Sequence, residues 1–293
     1  MINFHKYGFL DVRKLNSYIN EDTYWLHYYN PVWLFLWSDM YKPEIAFTND
    51  FIFIRFYLDE IGYCYFPPIN PKKNVYQGIK LMEQDAKERD IDFNLAPVTL
   101  EEFYRLKEYN IELFDNKSLG SYIYNISDLA FFEGDKYKKI NKNIKIFIKS
   151  NPNVSFKKIV KEDINSILEF ITKYTYNDNS IYYFKRLNMI KTALEHFYEF
   201  DLKGYILYEE KDELIEVIGF CFGSVFQNQV DLHEIMAKDL DSYYVLLSTF
   251  SKSCLQYAKY INFENDLGIK SLKEEKERLY PIRIENYFAT FNI

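Results

Sequence analysis

Two hydrophobic patterns alternate along this chain. One consists of short runs that are apolar throughout or apolar at every second position, and the other of longer segments with apolar residues every three or four positions. The short runs predict strands at residues 44–48, 51–58, 154–160, 204–208, 215–226 and 229–237. The longer segments predict helices at residues 75–89, 136–149, 181–200 and 242–260. Because helices and strands follow one another throughout, the pattern favours an α/β protein over an all-α or all-β one.

Local signals refine these elements. Asn49-Asp50 separates two strand patterns and predicts a hairpin turn. Thr99, followed three residues later by Glu102, predicts a capping box at the start of a helix. Polar and turn-forming residues at Asn151-Pro152 predict a boundary between two lobes, residues 1–150 and 151–293.

The element order is clearest in the second half. It is predicted as a strand, two helices, three strands, then helix, strand, helix and strand, which is the order of the acetyltransferase superfold. The first half has a less regular version. We therefore predict an α/β fold of α+β type, with two tandem acetyltransferase-like (GNAT-like) lobes that have mixed central sheets.

Composition narrows the class of protein. Hydrophobic residues make up 48% of the 293 residues, enough for a globular core, and the net charge of −7 gives no overall field that attracts nucleic acid. The three cysteines, Cys64, Cys221 and Cys254, are too far apart for a disulfide framework or a zinc motif. The N-terminal residues lack a signal-peptide pattern, and the apolar runs are too short for a membrane span. We expect a soluble, cytoplasmic protein without a metal.

Two segments carry a resemblance to a known family. The first contains Tyr122-Ile123-Tyr124-Asn125, Gly134 and Lys136-Tyr137-Lys138-Lys139, and the second contains Ile261-Asn262-Phe263-Glu264-Asn265-Asp266-Leu267-Gly268, Lys276 and Pro281. They resemble the tyrosine-rich block and the Ile-Asn-Arg-Glu-Gln-Asp-Leu-Gly block of a bacterial family of unknown function that is similar to the C-terminal domain of phosphatidylglycerol lysyltransferases. The resemblance implies an acyl- or aminoacyltransferase and places Tyr137, Lys139 and Lys276 among the substrate-binding residues.

The chain departs from the family pattern at several basic positions. Phe263 stands where the family has Arg, Ile235 where it has Lys, and Asn141-Lys142 where it has Arg-Asn. These departures favour an alternative in which the protein keeps the fold as a non-catalytic binding module.

Candidate catalytic groups lie near the ends of predicted strands. Glu234 could act as a general base, or it could form an ion pair with a nearby lysine. By strand alternation His233 points to the opposite face, so we do not combine the two. Asn262, Glu264 and Asp266 would share one strand face and form a cleft wall; alternatively, Asp266 caps a helix starting near residue 269 and Glu264 pairs with Lys276.

The predicted turn at residues 238–242 bears on coenzyme A. It lacks glycine, and Asp239 and Asp241 would repel a pyrophosphate, so the segment argues against ordinary acetyl-CoA binding. We expect Asp241 or Ser242 to cap the following helix.

Other features have both structural and functional interpretations. A lysine-rich stripe could bind phosphates of a lipid head group or a tRNA, or it could be a solvated helix face. It consists of Lys136, Lys138, Lys139, Lys142, Lys145 and Lys149, with Lys157, Lys158 and Lys161 beyond them. Trp25, Trp33 and Trp37 are expected to pack in a core or a lobe interface, and Cys221 to be buried and inert.

Together these features predict a transferase of acyl or aminoacyl groups whose site lies in an inter-lobe cleft. Glu234 and Glu264 are the candidate base and orienting group, Lys139 would contact an anionic substrate, and Tyr244, Asn262 and Asp266 would line the site. The donor could be acyl-CoA or an aminoacyl-tRNA, and the acceptor a small molecule or a lipid head group. A CoA-dependent N-acetyltransferase with an atypical pyrophosphate loop is the further alternative.

Overall fold

The computed structural model describes residues 1–19, 26–69, 75–175, 180–211 and 214–291. The strands in these ranges are β1 His5–Lys6, β2 Glu44–Phe47, β3 Ile52–Leu58, β4 Gly62–Tyr65, β5 Asn94–Leu95, β6 Phe114–Asp115, β7 Ser121–Asn125, β8 Val154–Lys158, β9 Lys203–Lys211, β10 Leu214–Phe226, β11 Gln229–Ala237, β12 Tyr260–Asn262, β13 Arg283–Glu285 and β14 Phe288–Ala289. The helices are α1 Phe9–Tyr18, α2 Pro31–Leu36, α3 Ser38–Tyr41, α4 Val75–Arg89, α5 Leu100–Lys107, α6 Ile126–Phe131, α7 Lys138–Ser150, α8 Ile164–Tyr174, α9 Ile181–Glu195, α10 Leu240–Cys254 and α11 Lys270–Arg278.

Contacts between residues divide the chain into two compact units. Unit 1 comprises residues 1–122, 265–274 and 284–293, and unit 2 comprises residues 123–264 and 275–283. This grouping differs from the boundary predicted at residue 150, because α7 and β7 have their contacts in the same unit as β8–β12 and the C-terminal segment contributes to both units. The mixed α/β class with mixed sheets is confirmed; two tandem acetyltransferase-like lobes remain a prediction.

Unit 1 is built on a five-stranded sheet in the order β1-β2-β3-β4-β5. The pairs from β1 to β4 are antiparallel and β4 pairs with β5 in parallel. The predicted hairpin at Asn49-Asp50 joins β2 and β3, whose last pair is Phe47 opposite Ile52. Its hydrophobic core includes fully buried residues of the sheet and of α4: Phe53, Tyr65, Ile79, Met82 and Leu95. Burial of these apolar side chains is what holds the helix on the sheet.

The predicted capping box in unit 1 is confirmed at the start of α5. The Thr99 hydroxyl accepts a hydrogen bond from the Glu102 backbone N–H at 3.2 Å, and a Glu102 carboxylate oxygen accepts from the Thr99 N–H at 2.9 Å. The Tyr29 hydroxyl donates to the same Glu102 oxygen at 3.1 Å. The carboxyl group is therefore buried among donors.

Unit 2 contains most of a seven-stranded sheet in the order β13-β7-β12-β11-β10-β9-β8, and the chain passes between the units within β7 and β13. β11 and β12 are parallel, whereas β8 to β11 pair in an antiparallel way. Helix α10 packs against β9, β10 and β11, and α8 packs against β10. The sheet is therefore covered by helices, which is why its central strands are apolar.

Several sequence-based elements differ in extent from the observed ones. The last strand of the element order predicted for the second half, at residues 282–291, is two short strands in different sheets, β13 and β14. Helix α9 ends at Glu195 rather than near residue 200, and α10 runs from Leu240 to Cys254. End positions depend on caps and on tertiary contacts that periodicity does not contain.

The aromatic and cysteine predictions have separate outcomes. Trp33 and Trp37 are buried in unit 1 with ring centroids 6.3 Å apart, as core packing predicts, while Trp25 lies outside the described residues. Cys221 is buried, and burial raises the pKa of its thiol well above the usual value, so the predicted inert character is supported.

Candidate functional site

An irregularity in the pairing of β10 with β11 determines where the candidate groups point. Phe222 is opposite Glu234 and Gly223 is opposite Leu232, so His233 is an extra residue in β11. Ser224 pairs with Asp231 and lies two residues from Phe222, so Ser224, Phe222 and Glu234 share one face. His233 bonds to Ser224 and lies on that face too. The expectation that His233 and Glu234 point to opposite faces was wrong, because the bulge interrupts the alternation.

Gly223 permits this bulge. A Cβ atom at position 223 would lie 2.3 Å from the carbonyl oxygen of Asp231, closer than any side chain can approach. Glycine is therefore needed for the close approach of the two backbones, rather than for a left-handed conformation.

Glu234 forms a two-point ion pair with Arg186 of α9. The guanidinium Nε donates to Oε2 at 2.7 Å and Nη2 donates to Oε1 at 2.6 Å. The Glu234 side chain is 6% exposed and that of Arg186 is 31% exposed. The predicted ion-pair alternative for Glu234 is thus realised with an arginine instead of a lysine. A carboxylate that accepts two charge-assisted hydrogen bonds from one guanidinium fixes the position and orientation of that cation.

A chain of hydrogen bonds connects β10, β11 and the residue after β12. The Ser224 hydroxyl lies 2.7 Å from His233 Nε2, and His233 Nδ1 lies 2.9 Å from Glu264 Oε1. An ionised carboxylate can only accept, so in the neutral imidazole Nδ1 carries the proton and Nε2 accepts from Ser224. Ser224 and His233 are buried, and Glu264 is 14% exposed in its side chain.

Glu264 is held in an unusual backbone conformation. Its φ is +58°, in the left-handed region, and its N–H donates to the side-chain oxygen of Asn262 at 2.8 Å. Because β12 ends at Asn262, the prediction that Asn262, Glu264 and Asp266 share one strand face was wrong. A glutamate in this region costs of order 1 kcal/mol, and such outliers cluster at functional sites.

Tyr182 of α9 lies in the field of both carboxylates. Burial raises the pKa of its hydroxyl to about 12; the charges of Glu234 and Glu264 also raise this pKa, and that of Arg186 lowers it. The hydroxyl therefore keeps its proton at neutral pH and can serve as a hydrogen-bond donor.

These residues form two rows, which we call the front row and the back row. The front row has partly exposed groups: Glu264, Arg186 and Tyr182. The back row has buried groups that hold them: His233 and Ser224 behind Glu264, and Glu234 behind Arg186. Buried partners that fix the orientation of exposed charged groups are a common arrangement in catalytic sites.

Three other predicted site residues of unit 2, Tyr137, Tyr244 and Lys276, contact neighbouring protein groups, and their role in substrate binding stays a prediction. The Tyr137 hydroxyl donates to the Leu279 carbonyl at 2.8 Å, and the Tyr244 ring packs edge-on against Phe132 with centroids 6.0 Å apart. The Lys276 ammonium donates to the Phe263 carbonyl, so the predicted pairing of Lys276 with Glu264 is not among the observed contacts.

Asp266 belongs to unit 1. One of its carboxylate oxygens accepts from the Tyr122 hydroxyl at 2.6 Å, and the other accepts from the Gly268 N–H at 2.8 Å. These bonds shape the turn before α11, and the Ile269 N–H donates to the Asp266 carbonyl at 2.9 Å. No contact of Asp266 with the front row is observed among the described residues.

The start of α10 is occupied by a carboxylate. Asp239 is the N-cap, and its side chain accepts from the Ser242 N–H at 2.8 Å and from the Ser242 hydroxyl at 2.8 Å. The prediction of Asp241 or Ser242 as the cap was therefore wrong: the helix begins two residues before the predicted start, and Asp241 accepts from Asn143 instead. An anionic cap at this position competes with any phosphate.

The basic helix α7 borders an open depression of about 570 Å³. Four of its lysines line the depression: Lys138, Lys142, Lys145 and Lys149. Lys139, the predicted contact to an anionic substrate, is exposed but is not among the lining residues.

Metal and membrane features are absent where the structure can be described. Within the described ranges, no group of three or more His, Cys, Asp or Glu side chains is arranged to hold a metal ion. None of the helices placed in these ranges combines the length and the apolar character that crossing a bilayer requires.

Four front- or back-row residues were not among the predicted site residues: Arg186, Tyr182, Ser224 and His233, the last of which had been placed on the opposite strand face. Arg186 and Tyr182 lie four residues apart on one face of α9, a spacing that puts them side by side, but nothing in the sequence links them to β11. Ser224 sits in an apolar strand, where a hydroxyl is the one weak signal.

Comparisons with known proteins agree with this fold. A family model described as "Phosphatidylglycerol lysyltransferase, C-terminal" matches residues 28–290 and confirms the resemblance predicted from the two segments. A conserved protein of unknown function from Bacteroides thetaiotaomicron has a TM-score of 0.90 at 22% identity, with 99% of each chain covered. L-PGS from Bacillus licheniformis has a TM-score of 0.64 at 12% identity, with 94% of this chain and 90% of that chain covered.

A third solved structure, FemX, has a TM-score of 0.61 at 8% identity and covers 98% of this chain and 97% of its own. No match was found among the curated proteins. At these identities the structural similarities show the fold and not the activity.

Proposed function

We propose, because this chain belongs to the family of phosphatidylglycerol lysyltransferase C-terminal domains, that it transfers an acyl or aminoacyl group from an activated ester to an amine or hydroxyl acceptor. The site of the reaction is the front row, Glu264, Arg186 and Tyr182. That this site lies in an inter-lobe cleft remains a prediction.

The observation that supports this proposal most is the way Glu264 is held. One carboxylate oxygen is bound to buried His233, and the second has no hydrogen-bond partner among the described residues. The backbone at φ +58° keeps the side chain in this place at a cost in stability. A carboxylate with one fixed and one available oxygen is suited to accept a proton from an attacking amine or hydroxyl.

In the proposed step, Glu264 carries a proton from the acceptor to the leaving group. The acceptor N–H or O–H attacks the carbonyl carbon of the ester, its proton goes to Glu264 Oε2, and a new amide or ester bond forms. As the bond to the leaving oxygen breaks, Glu264 returns the proton to that oxygen. The positive charge of Arg186, held by Glu234, stabilises the negative charge on the carbonyl oxygen, and the Tyr182 hydroxyl donates a hydrogen bond.

This arrangement reassigns the two predicted catalytic carboxylates. Glu234 was a candidate base, but its two hydrogen bonds to Arg186 make it the group that orients a cation. Glu264 takes the role of base, and His233 takes the orienting role.

Regarding the donor, we favour an aminoacyl-tRNA over acyl-CoA. At the start of α10, where acetyltransferase-like folds are expected to bind pyrophosphate, the Asp239 carboxylate already accepts from the Ser242 N–H. Its negative charge would repel the coenzyme, whereas a donor bound elsewhere is unaffected.

The test uses the intact protein with a mixture of radiolabelled aminoacyl-tRNAs, acetyl-CoA in a parallel reaction, and both phosphatidylglycerol vesicles and small amines as acceptors. Label that moves to an acceptor measures the transfer. Glu264→Gln should lower the rate by about 10²–10⁴-fold and Arg186→Met by about 10²-fold, because they remove the base and the charge on the oxyanion.

The matched control is Glu195→Gln, an exposed glutamate on the same helix as Arg186, which should leave the rate unchanged. Full transfer by Glu264→Gln would show that the front row is not the site. If no donor supports transfer but an aminoacyl-tRNA or a lipid still binds, the protein is the non-catalytic binding module instead.

A further inference from the structure

The outward face of α7 carries an unusual distribution of charge. The segment Lys138–Ser150 contains five lysines and no acidic residue, in a chain whose net charge is −7. Lys142, Lys145 and Lys149 are exposed and have no ion-pair or hydrogen-bond partner among the described residues. Their spacing of three and four residues puts them in one row along the helix. Three neighbouring ammonium groups without counter-charges repel one another, and an anionic partner would relieve this repulsion.

Exposed aliphatic side chains flank this row. Ile146 is 51% exposed and Ile148 is 57% exposed, whereas Ile140 and Phe147 on the inner side of α7 are buried. At 100° per residue, Ile146 and Ile148 lie on the two sides of the lysine row. The inner residues account for the packing of the helix, so burial of its own core does not explain the two exposed isoleucines.

The depression beside α7 has the same mixed character. Most of its exposed lining is carbon. Ile146 and the four lysines Lys138, Lys142, Lys145 and Lys149 line it, together with one acidic residue, Glu133. Phe131, an exposed residue, lies next to α7, since the Asn141 side chain of α7 donates to the Phe131 carbonyl at 3.2 Å. Lys252 Nζ is 5.9 Å from the centre of the Phe131 ring.

We propose that the outer face of α7 docks on the surface of an anionic phospholipid bilayer. The row of lysines matches the phosphates, and the flanking isoleucines match the acyl region just below them. A nucleic acid would engage the same charges, but it has no complement for two aliphatic side chains and a carbon-lined depression. None of the docking residues belongs to the front row, so the proposal is independent of catalysis.

Co-sedimentation with vesicles tests the proposal. The intact protein should bind vesicles of phosphatidylcholine mixed with phosphatidylglycerol, should not bind pure phosphatidylcholine vesicles, and should bind less as salt increases. We expect the partition coefficient to fall about a hundredfold in the triple variant Lys142→Gln, Lys145→Gln, Lys149→Gln. Each basic residue near an anionic surface raises the partition coefficient by about fivefold, and three of them are removed.

A matched control removes the same charge elsewhere. Lys87, Lys107 and Lys117 are exposed lysines of unit 1 without an ion-pair partner among the described residues, and their replacement by Gln should leave binding unchanged. Ile146→Ser with Ile148→Ser keeps every charge and should lower binding about tenfold through the apolar contribution alone.

Three outcomes would overturn the proposal. One is no binding to the anionic vesicles. Another is an equal loss in the control triple variant, which would mean attraction by overall charge. The last is binding of a hairpin RNA that needs the three lysines but not the isoleucines, together with no vesicle binding, which would make the face a nucleic-acid site. Because transfer to a water-soluble amine is assayed without vesicles, failure here leaves the proposed function standing.

Discussion

Glu102 offers a test of the structure that needs no substrate. Its carboxyl group is buried at the start of α5, and replacing it by Gln keeps its size and its acceptor oxygen while removing the titration. In the native protein, burial raises the pKa of Glu102 to about 7, although hydrogen bonds from Thr99 and Tyr29 act in the opposite direction. The value in the unfolded chain is the ordinary one of about 4.5.

The sign of the effect follows from these two values. Between pH 4.5 and pH 7 the native state holds a proton that the unfolded state has lost, so unfolding releases a proton and stability falls as pH rises. A difference of about 2.5 pKa units corresponds to about 3 kcal/mol, because each unit is worth about 1.4 kcal/mol. The favourable contribution is complete below about pH 4.5, falls across the window, and is lost above about pH 7.

The assay is urea unfolding of the wild type and of Glu102→Gln across this range. The difference in unfolding free energy, variant minus wild type, should increase by about 3 kcal/mol between pH 4.5 and pH 7 and then stay constant. Other titrating groups are common to both proteins and cancel. A flat difference for Glu102→Gln would refute the burial of an ionisable carboxyl at this helix start.

Three further variants test the site and its supports. Arg186→Met should lower the unfolding free energy by about 3 kcal/mol, because Glu234 is left as a buried charge; adding Glu234→Gln should restore part of the loss in the same urea titration. Asp239→Ala should cost about 1 kcal/mol through loss of the α10 cap, and an equal loss for Asp241→Ala would contradict the assignment of that cap. Gly223→Ala should destabilise by more than 2 kcal/mol in urea unfolding, because the added Cβ meets the Asp231 carbonyl; unchanged stability would argue against the bulge.

How far the sequence predicts this structure depends on whether a signal is local. The hairpin at Asn49-Asp50 and the capping box at Thr99 were predictable because a few neighbouring residues determine them. The cap of α10 was misassigned because several polar residues stand together there, and the competition between them is decided by the packing of the helix. The division into units was not predictable from composition, since residues 265–274 and 284–293 return to unit 1.

The candidate site shows the same limit more sharply. Glu234 and Glu264 could be proposed from their positions after apolar runs, but their partners could not. Arg186 is 48 residues from Glu234 in sequence, and the contact depends on how α9 lies on the sheet. His233 and Glu234 were assigned to opposite faces because side chains alternate along a regularly paired strand. The bulge at His233 interrupts that pairing, so the alternation does not apply there.

The structure also bears on the alternative that the protein is a non-catalytic binding module. Phe263 stands where the family pattern has Arg, and this loss of a cation favoured a non-catalytic binding module. The Phe263 ring is buried against Tyr124, with centroids 4.7 Å apart, so the position has become part of the core. A cation is nevertheless present beside the candidate carboxylates, because Arg186 is fixed by Glu234 and acts on the same Tyr182 hydroxyl as Glu264. A substitution at one position therefore does not remove positive charge from the site. The left-handed backbone of Glu264 reduces stability, and such strain is concentrated at functional sites, so it favours the proposed transfer over a module that only kept the fold.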